Sequence, residues 1–291
     1  MIDMPHSCLF VPVDQDRFVE RAHERGADVI LLDLEDSVTP DRKPVARSKL
    51  AGAVAHLSGH RISAWVRINA PLHDCVPDLK AACIKGVEAI MVPKASGPDH
   101  LKMIDDDLSR LEAECGLNVG GIALIALIET PQGLIHASGM AQATARLRAL
   151  AFGGEDFSAA LGLSPEPSTL AAYCQQLVLA AKASGLGALG IPGSIADIGD
   201  EGSFREAAAL GKKFGFDGVL CVHPRQVAIV NDLYAPSNKE YDHAAKVVSA
   251  FEHALEHGNG AVMLDGKMID LPVVRRAEAI LRRKSRHRFV A

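Results

Sequence analysis

Eight short apolar runs punctuate this chain, at residues 8–13, 29–33, 62–68, 89–92, 122–128, 147–152, 188–191 and 218–222. Between them lie segments with the length and Ala/Leu/Lys/Glu content of crossover helices: 15–26, 40–57, 101–115, 134–145, 168–184 and 203–214. Strands separated by helices pair in parallel, and strands covered on both faces read as continuous apolar stretches. Alternation counted to eight predicts an α/β chain folded as a (β/α)8 TIM barrel. The 291 residues suffice for one such barrel plus an extension, and 48% apolar residues with only 4% aromatic ones imply a core of Ala, Val, Leu and Ile.

Barrel enzymes build their sites at the C-terminal ends of the strands, and polar groups collect there. The runs end on Asp33-Leu34-Glu35-Asp36, Arg67-Ile68-Asn69, Pro93-Lys94, Glu129-Thr130, Glu155-Asp156, Pro192-Gly193-Ser194 and His223-Pro224. Glu129 precedes Thr130-Pro131, a helix-start signal. Taken singly, Glu129 reads as a favourable first-turn charge and Asp156 as an N-cap. Taken together, two carboxylates on adjacent strand ends suit Mg2+, which takes few protein ligands and keeps several waters.

Asp33, Glu35 and Asp36 follow a buried strand, where ionised carboxylates are costly without cations or donors. Metal-bound water or a nearby arginine supplies both, whereas capping before Pro40 by Asp36 or Ser37 accounts for one residue only. Arg67 can grip a carboxylate or oxyanion with its planar fork, or pair with Glu35 or Asp36, and both can hold. Gly153-Gly154 lets backbone amides come close to a bound anion at a helix start. His223 reads as structural. None of the 12 histidines shows His-x-His or His-Glu-x-x-His spacing, and phosphate-binding Gly-x-x-x-x-Gly-Lys and nucleophile-elbow Gly-x-Ser-x-Gly patterns are missing. Catalytic zinc, ATP use and serine-hydrolase chemistry therefore lack support.

Beyond residue 224 the pattern changes, which divides the chain into a barrel domain, 1–224, and an extension, 225–291. Ala244, Val247, Val248, Phe251 and Leu255 are spaced for one helix face. After the Gly258-Asn259-Gly260 break, residues 261–264 and 267–270 flank Asp265-Gly266, a hairpin signal. Such a hairpin is expected to pack on a neighbouring subunit, and the basic stretch 281–291 reads as a solvated end. The formal charge of -5 gives no general affinity for nucleic acid, and no run nears the ~18 apolar residues of a membrane span. Six cysteines without a Cys-x-x-Cys pair and an N-terminus without a cationic, apolar leader fit a cytoplasmic protein.

Several motifs, in order, resemble one family: Ser7-Cys8-Leu9-Phe10-Val11-Pro12 with Arg17-Phe18; Asp33 to Val38 with Lys43 and Ala46-Arg47; Val66-Arg67-Ile68-Asn69; Pro93-Lys94; Ile128-Glu129-Thr130; Gly153-Gly154-Glu155-Asp156; and Val222-His223-Pro224. Together they are similar to the β subunit of citrate lyase and its malyl-CoA and citramalyl-CoA lyase relatives. The resemblance implies a homo-oligomer, trimer or hexamer, with Mg2+ on Glu129 and Asp156. It implies a catalytic group of Arg67, Asp270, Glu35 and Asp36, with Asp270 reaching in from the next subunit. Arg67 would bind a 2-keto acid, the amides from Gly154 and Glu155 to Asp156 its carboxylate, and Phe10, Arg17 and Arg21 coenzyme A; Arg21 stands where the family often has Lys. The implied reaction splits a 3-hydroxyacyl-CoA thioester of the malyl-CoA, citramalyl-CoA or citryl-CoA type into an acyl-CoA and a 2-keto acid, or runs the reverse condensation. A citrate lyase β subunit acting on a citryl-acyl carrier protein, and a malyl-CoA-type thioesterase, are the alternatives.

Overall fold

Parallel strands that pair in chain order form one continuous sheet, and here its two ends meet. A computed structural model of the chain describes residues 4–287. Strands β1 (Ser7–Pro12), β2 (Val29–Asp33), β3 (Ser63–Arg67), β4 (Val87–Val92), β5 (Ala123–Ile128), β6 (Leu147–Phe152), β7 (Gly187–Leu189) and β8 (Val219–Cys221) pair in sequence, with β8 beside β1. A parallel bridge between Leu189 and Gly218 joins the two ends, flanked by Gly190 N–H to the Gly218 carbonyl (2.9 Å) and Asp217 N–H to the Ala188 carbonyl (2.8 Å). The fold is the expected (β/α)8 barrel.

Alternate strand residues fill the interior. Leu31, Trp65, Met91, Ile125, Leu127 and Leu220 interleave with Ala89, Ala149 and Ala151, and Met4 completes the cluster. The neighbouring positions, among them Ile30, Leu32, Val66 and Ile90, are also fully buried. Burial on both faces is why these runs are continuous rather than alternating. Gly218 sits where the seam is tightest, because a Cβ there would lie 2.1 Å from the Pro5 carbonyl oxygen and 2.7 Å from that of His6.

The crossovers depart from expectation in three places. Segment 15–26 is a short helix, Asp16–Glu20, followed by a 3-10 turn, Ala22–Arg25, that turns Ala22 inward. Segment 134–145 is replaced by two short helices, Pro131–Ile135 and Ala137–Met140. Thr130 caps the first, and the bend falls at His136, whose ring is bonded to the Ser96 carbonyl (2.8 Å). The helix Leu72–Ala82 has no counterpart in the expectation, because Pro77 inside it reads as a breaker. Of the remaining helices, Lys43–Gly59 matters most for the site.

The chain divides between Asn231 and Asp232 into two compact units. In the second, the helix Asn238–Glu256 starts at a Ser237/Glu240 capping box and precedes an antiparallel hairpin, β9 (Val262–Leu264) and β10 (Lys267–Ile269). The turn residues Asp265 and Gly266 both have positive φ, as the sequence signal requires. A final helix, Leu271–His287, follows directly, so the basic stretch begins inside a helix and ends outside the described residues. Ala244, Val247 and Phe251 form this unit's core with Ile269, Val274 and Ala277. Leu255 is 54% exposed and Ala254 takes the inward position instead, because the helical stripe advances three residues there rather than four. Among the described residues no helix is long and apolar enough to cross a membrane.

The seam and the exposed helix surface should respond oppositely to one added methyl group. Gly218→Ala is expected to lower the urea midpoint, at a cost of about 1–3 kcal/mol or more for overpacking against backbone. Gly52→Ala, on an exposed helix face with nothing within 4 Å, should leave it unchanged or raise it.

Candidate active site

The register of β2 and β3 pairs Asp33 with Arg67, the last residue of each strand. Two opposite charges thus meet at the rim in a fixed geometry. Arg67 Nε and Nη2 donate to Asp33 Oδ1 and Oδ2 at 2.7 and 2.8 Å, a bidentate pair buried on both sides. The third nitrogen, Nη1, lies 2.9 Å from Glu35 Oε2 and 3.1 Å from Asp36 Oδ2. The guanidinium also stacks over Phe10, 4.6 Å from the ring centroid. Both readings of Arg67 are therefore refined: it is ion-paired, its main partner is Asp33, and Nη1, the nitrogen Asp33 does not take, is engaged by Glu35 and Asp36.

A polar layer behind the rim fixes the Asp33–Asp36 loop. Lys43, at the start of its helix, donates to the Leu34 and Glu35 carbonyls, each at 3.1 Å, and to Asn69 Oδ1. Asn69 Nδ2 bonds the Leu34 carbonyl (2.8 Å) and the buried Asp78 (2.6 Å), which in turn pairs with Arg47. Asp78 lies on the helix that Pro77 concealed.

On the opposite side, β5 and β6 deliver the other two acids. Glu129 is buried, and its Oε2 accepts the Lys94 backbone N–H at 2.9 Å. Its Oε1 accepts no hydrogen bond among the described residues. Gly153 makes room for it, since a Cβ there would press within 2.5 Å of Glu129 Cγ. Asp156 sits in the first turn of the helix Gly154–Leu161 rather than at its N-cap, which is Gly153. Lys94 Nζ stands 3.1 Å from Asp156 Oδ2 and 3.7 Å from Glu35 Oε1.

These groups surround a cavity of about 420 Å³ lined by Phe10, Asp36, Arg67, Glu129, Gly154 to Asp156 and the Ile195–Ala196 loop. Glu155 faces it and accepts from Ser194 Oγ. Arg17 and Arg21 are exposed on the segment after β1 and do not line the cavity; Arg17 covers Phe18 and Arg21 pairs with Glu24 at 3.0 Å. His223 accepts from the Arg225 N–H at its Nδ1 and stays out of the lining. Asp270 belongs to the second unit, where its backbone and side chain receive the first amides of the final helix, Val274 N–H at 3.0 Å and Val273 N–H at 3.4 Å.

Five carboxylates (Asp33, Glu35, Asp36, Glu129 and Asp156) thus meet three cations, Arg67, Lys94 and Lys43, an excess of two negative charges. The titration of the acids records it. Burial would raise the Asp33 carboxyl, but Arg67, Ser37 and the Glu35 amide hold it below its ordinary value. Burial pushes Glu35 up to about 8, with Asp36 and Glu129 adding to it against the pull of Arg67. Burial likewise pushes Glu129 up to about 7, with Asp156 contributing against the Lys94 amide and Arg67. Glu35 Oε2 is buried without a hydrogen bond of acceptable geometry. Oxygen donors, an open carboxylate oxygen and surplus negative charge fit a hard divalent cation held by Glu129 and Asp156. The sequence places Lys94 at a strand end but assigns it no role. Its placement depends on a left-handed backbone, φ 47°, that no local signal announces for a lysine.

Residues 6–224 match the HpcH/HpaI aldolase/citrate lyase family. The chain is 37% identical to citrate lyase subunit beta of Escherichia coli K12, over 95% of this chain and 92% of that protein. It is 30% identical to the L-malyl-CoA/beta-methylmalyl-CoA lyase of Rhodobacter capsulatus, over 94% and 92%. It also resembles the crystal structure of Mycobacterium tuberculosis CitE in complex with magnesium, acetoacetate and coenzyme A, with a TM-score of 0.75, 30% identity and coverage of 98% and 100%.

The raised carboxyl of Glu35 has a thermodynamic sign. A buried acid that holds its proton up to about 8, against 4.5 ordinarily, stabilises the fold most below 4.5, and that contribution is lost as pH rises toward 8. In chelated protein, Glu35→Gln should therefore flatten the decline of the urea midpoint between pH 5 and pH 8; an unchanged slope would refute the assignment.

Proposed function

The chain belongs to the HpcH/HpaI aldolase/citrate lyase family, and on that premise we propose that it is a Mg2+-dependent carbon–carbon lyase acting on a 3-hydroxyacyl-CoA thioester. The observation that carries this reading is the cavity where two carboxylates, Glu129 and Asp156, and the Arg67 guanidinium, its Nη1 also engaged by Glu35 and Asp36, share one lining. Glu129 and Asp156 would hold Mg2+, which supplies Lewis acidity at the oxygen that becomes the keto group.

The remaining roles belong to the chain. Arg67 Nη1 offers a charge-assisted donor to that oxygen as negative charge develops, and Glu35 and Asp36 hold this edge in place. The N–H groups of Gly154, Glu155 and Asp156, free at a helix start, bind the keto acid's carboxylate. In cleavage the hydroxyl passes its proton to a water of the cavity as the carbonyl forms, and the electron pair of the breaking carbon–carbon bond passes into the thioester as an enolate. Asp270 of a neighbouring subunit, brought in by the hairpin, delivers a proton to that carbon. Phe10 forms one wall of the acyl-CoA site, and Arg17 and Arg21, exposed beyond β1, serve the coenzyme's phosphates. A trimer or hexamer is the assembly this shared site calls for.

A citrate lyase β subunit working on a citryl-acyl carrier protein is the second reading, supported by the higher identity to that subunit. Asp270 in its Lys-Met-Ile-Asp setting favours the free-standing enzyme.

Mass spectrometry of reactions with malyl-CoA, citramalyl-CoA and citryl-CoA, with Mg2+ and then with EDTA, should show metal-dependent release of acetyl-CoA and one keto acid, and Asp156→Ala should abolish it while leaving the fold intact. Free CoA alone would make the protein a thioesterase, and no turnover would favour the carrier-protein substrate. The shared site has its own test: Asp270→Asn and Arg67→Ala, each inactive alone, should regain activity when unfolded together and reassembled. Failure of the mixture, with each parent still oligomeric, would remove Asp270 from the neighbouring site.

A further inference from the structure

At the other end of the barrel lies a cluster that the lyase reading does not use. His23 sits on the 3-10 turn Ala22–Arg25 that leads into β2. His56 lies in the last turn of the helix Lys43–Gly59 and His60 is its C-cap, before β3. Both connections enter the N-terminal ends of their strands, opposite the rim that carries Arg67 and Glu129. His56 and His60 are four residues apart and so share a helix face, and the fold brings His23 onto it. The rings of His23 and His60 stack with centroids 3.7 Å apart, and His56 meets them at 5.3 and 4.8 Å. One ring nitrogen from each lies within 4.8 Å of the other two.

From these three imidazoles we infer a second metal site, one for a borderline divalent transition metal such as Zn2+. Two details of the cluster suit ligation. His56 Nε2 is 3.0 Å from the Glu20 carbonyl, so it carries the proton and leaves Nδ1 as a donor, the outer contact typical of a metal-bound histidine. His23 Nδ1 is buried and has no hydrogen-bond partner. His23 and His56 are half-buried and His60 is exposed, so small ring rotations at the open side bring the nitrogens to bonding distance, with water completing the shell. Imidazole selects Zn2+, Cu2+, Ni2+ or Co2+ over Mg2+, which prefers oxygen. The site is therefore chemically separate from the carboxylate pair.

The test is equilibrium dialysis of untagged protein against Zn2+, with millimolar Mg2+ present to occupy the carboxylate site. One equivalent should bind to the wild type and to Asp156→Ala. His56→Gln and the exposed His60→Gln should each weaken it on the order of tenfold or more. His257→Gln, which breaks a wholly exposed His253/Glu256/His257 group, should leave it unchanged. Bound Zn2+ should raise the urea midpoint of the wild type and not of His60→Gln. Zn2+ binding that survives both His56→Gln and His60→Gln, or that is lost in His257→Gln, would overturn the proposal, as would wild-type protein that binds none. Because Mg2+-dependent turnover is measured separately, failure of this site leaves the lyase reading standing, and the converse also holds.

Discussion

The pairing of Asp33 with Arg67 is the constraint on which the rim depends. A guanidinium and a carboxylate withdrawn from water each carry a desolvation penalty that only close, well-oriented hydrogen bonds can offset. Parallel register provides that orientation, because the last residues of β2 and β3 face one another. With two of its nitrogens bound to Asp33 and Nη1 beside Glu35 and Asp36, Arg67 is held in one orientation, and the Phe10 ring closes its face. The loop from Leu34 to Asp36 then has little freedom, since Lys43 and Asn69 hold its carbonyls from behind.

A second buried arginine shows what a purely structural cluster looks like. Arg146 donates to Asp105, Glu112, Ser109 and the Ile122 carbonyl, while Glu112 also accepts the amides of Gly120 and Ile122. Every charge there has partners, and the carboxyls of Asp105 and Glu112 are held below their ordinary values by those bonds against the effect of burial. At the rim the balance is reversed. Acids outnumber cations, two carboxyls titrate high, and Glu35 Oε2 is buried without a hydrogen bond. Two bound protons or one divalent cation would neutralise the same surplus. A fold retains such a deficit where a ligand completes it.

The barrel was legible because its signal is repeated: each strand run marks a position, and an error of one or two residues at an end, as at 62–68 against Ser63–Arg67, does not disturb the count. The helix Leu72–Ala82 was not legible, since Pro77 is a local breaker that tertiary packing overrides. The rim acids and Arg67 could be identified from their places at strand ends. Which acid takes the fork could not, because Asp33 is chosen over Glu35 and Asp36 by strand register, a non-local property. Lys94 was visible at its strand end but not its role, its reach depending on an unusual backbone angle. The histidine cluster was invisible as a group: the spacing of His56 and His60 is a weak signal alone, and His23 joins them only through the fold.

One helix connects the two polar ends. Lys43 begins Lys43–Gly59 against the Asp33–Asp36 loop, and His56 and His60 close it at the opposite end of the barrel. A rise of 1.5 Å per residue puts about 25 Å between Lys43 and His60. That distance exceeds the Debye length of about 8 Å at physiological salt, so charge at one end has little direct effect at the other. Any coupling must pass through the helix as a body. Leu50, Val54 and Leu57 are fully packed along it, and Arg47 is tied to Asp78. A metal at the histidine end would tether this helix to the turn before β2, and so bear on the lysine that fixes the Asp33–Asp36 loop. The physical route is a restraint on position, with no transfer of charge.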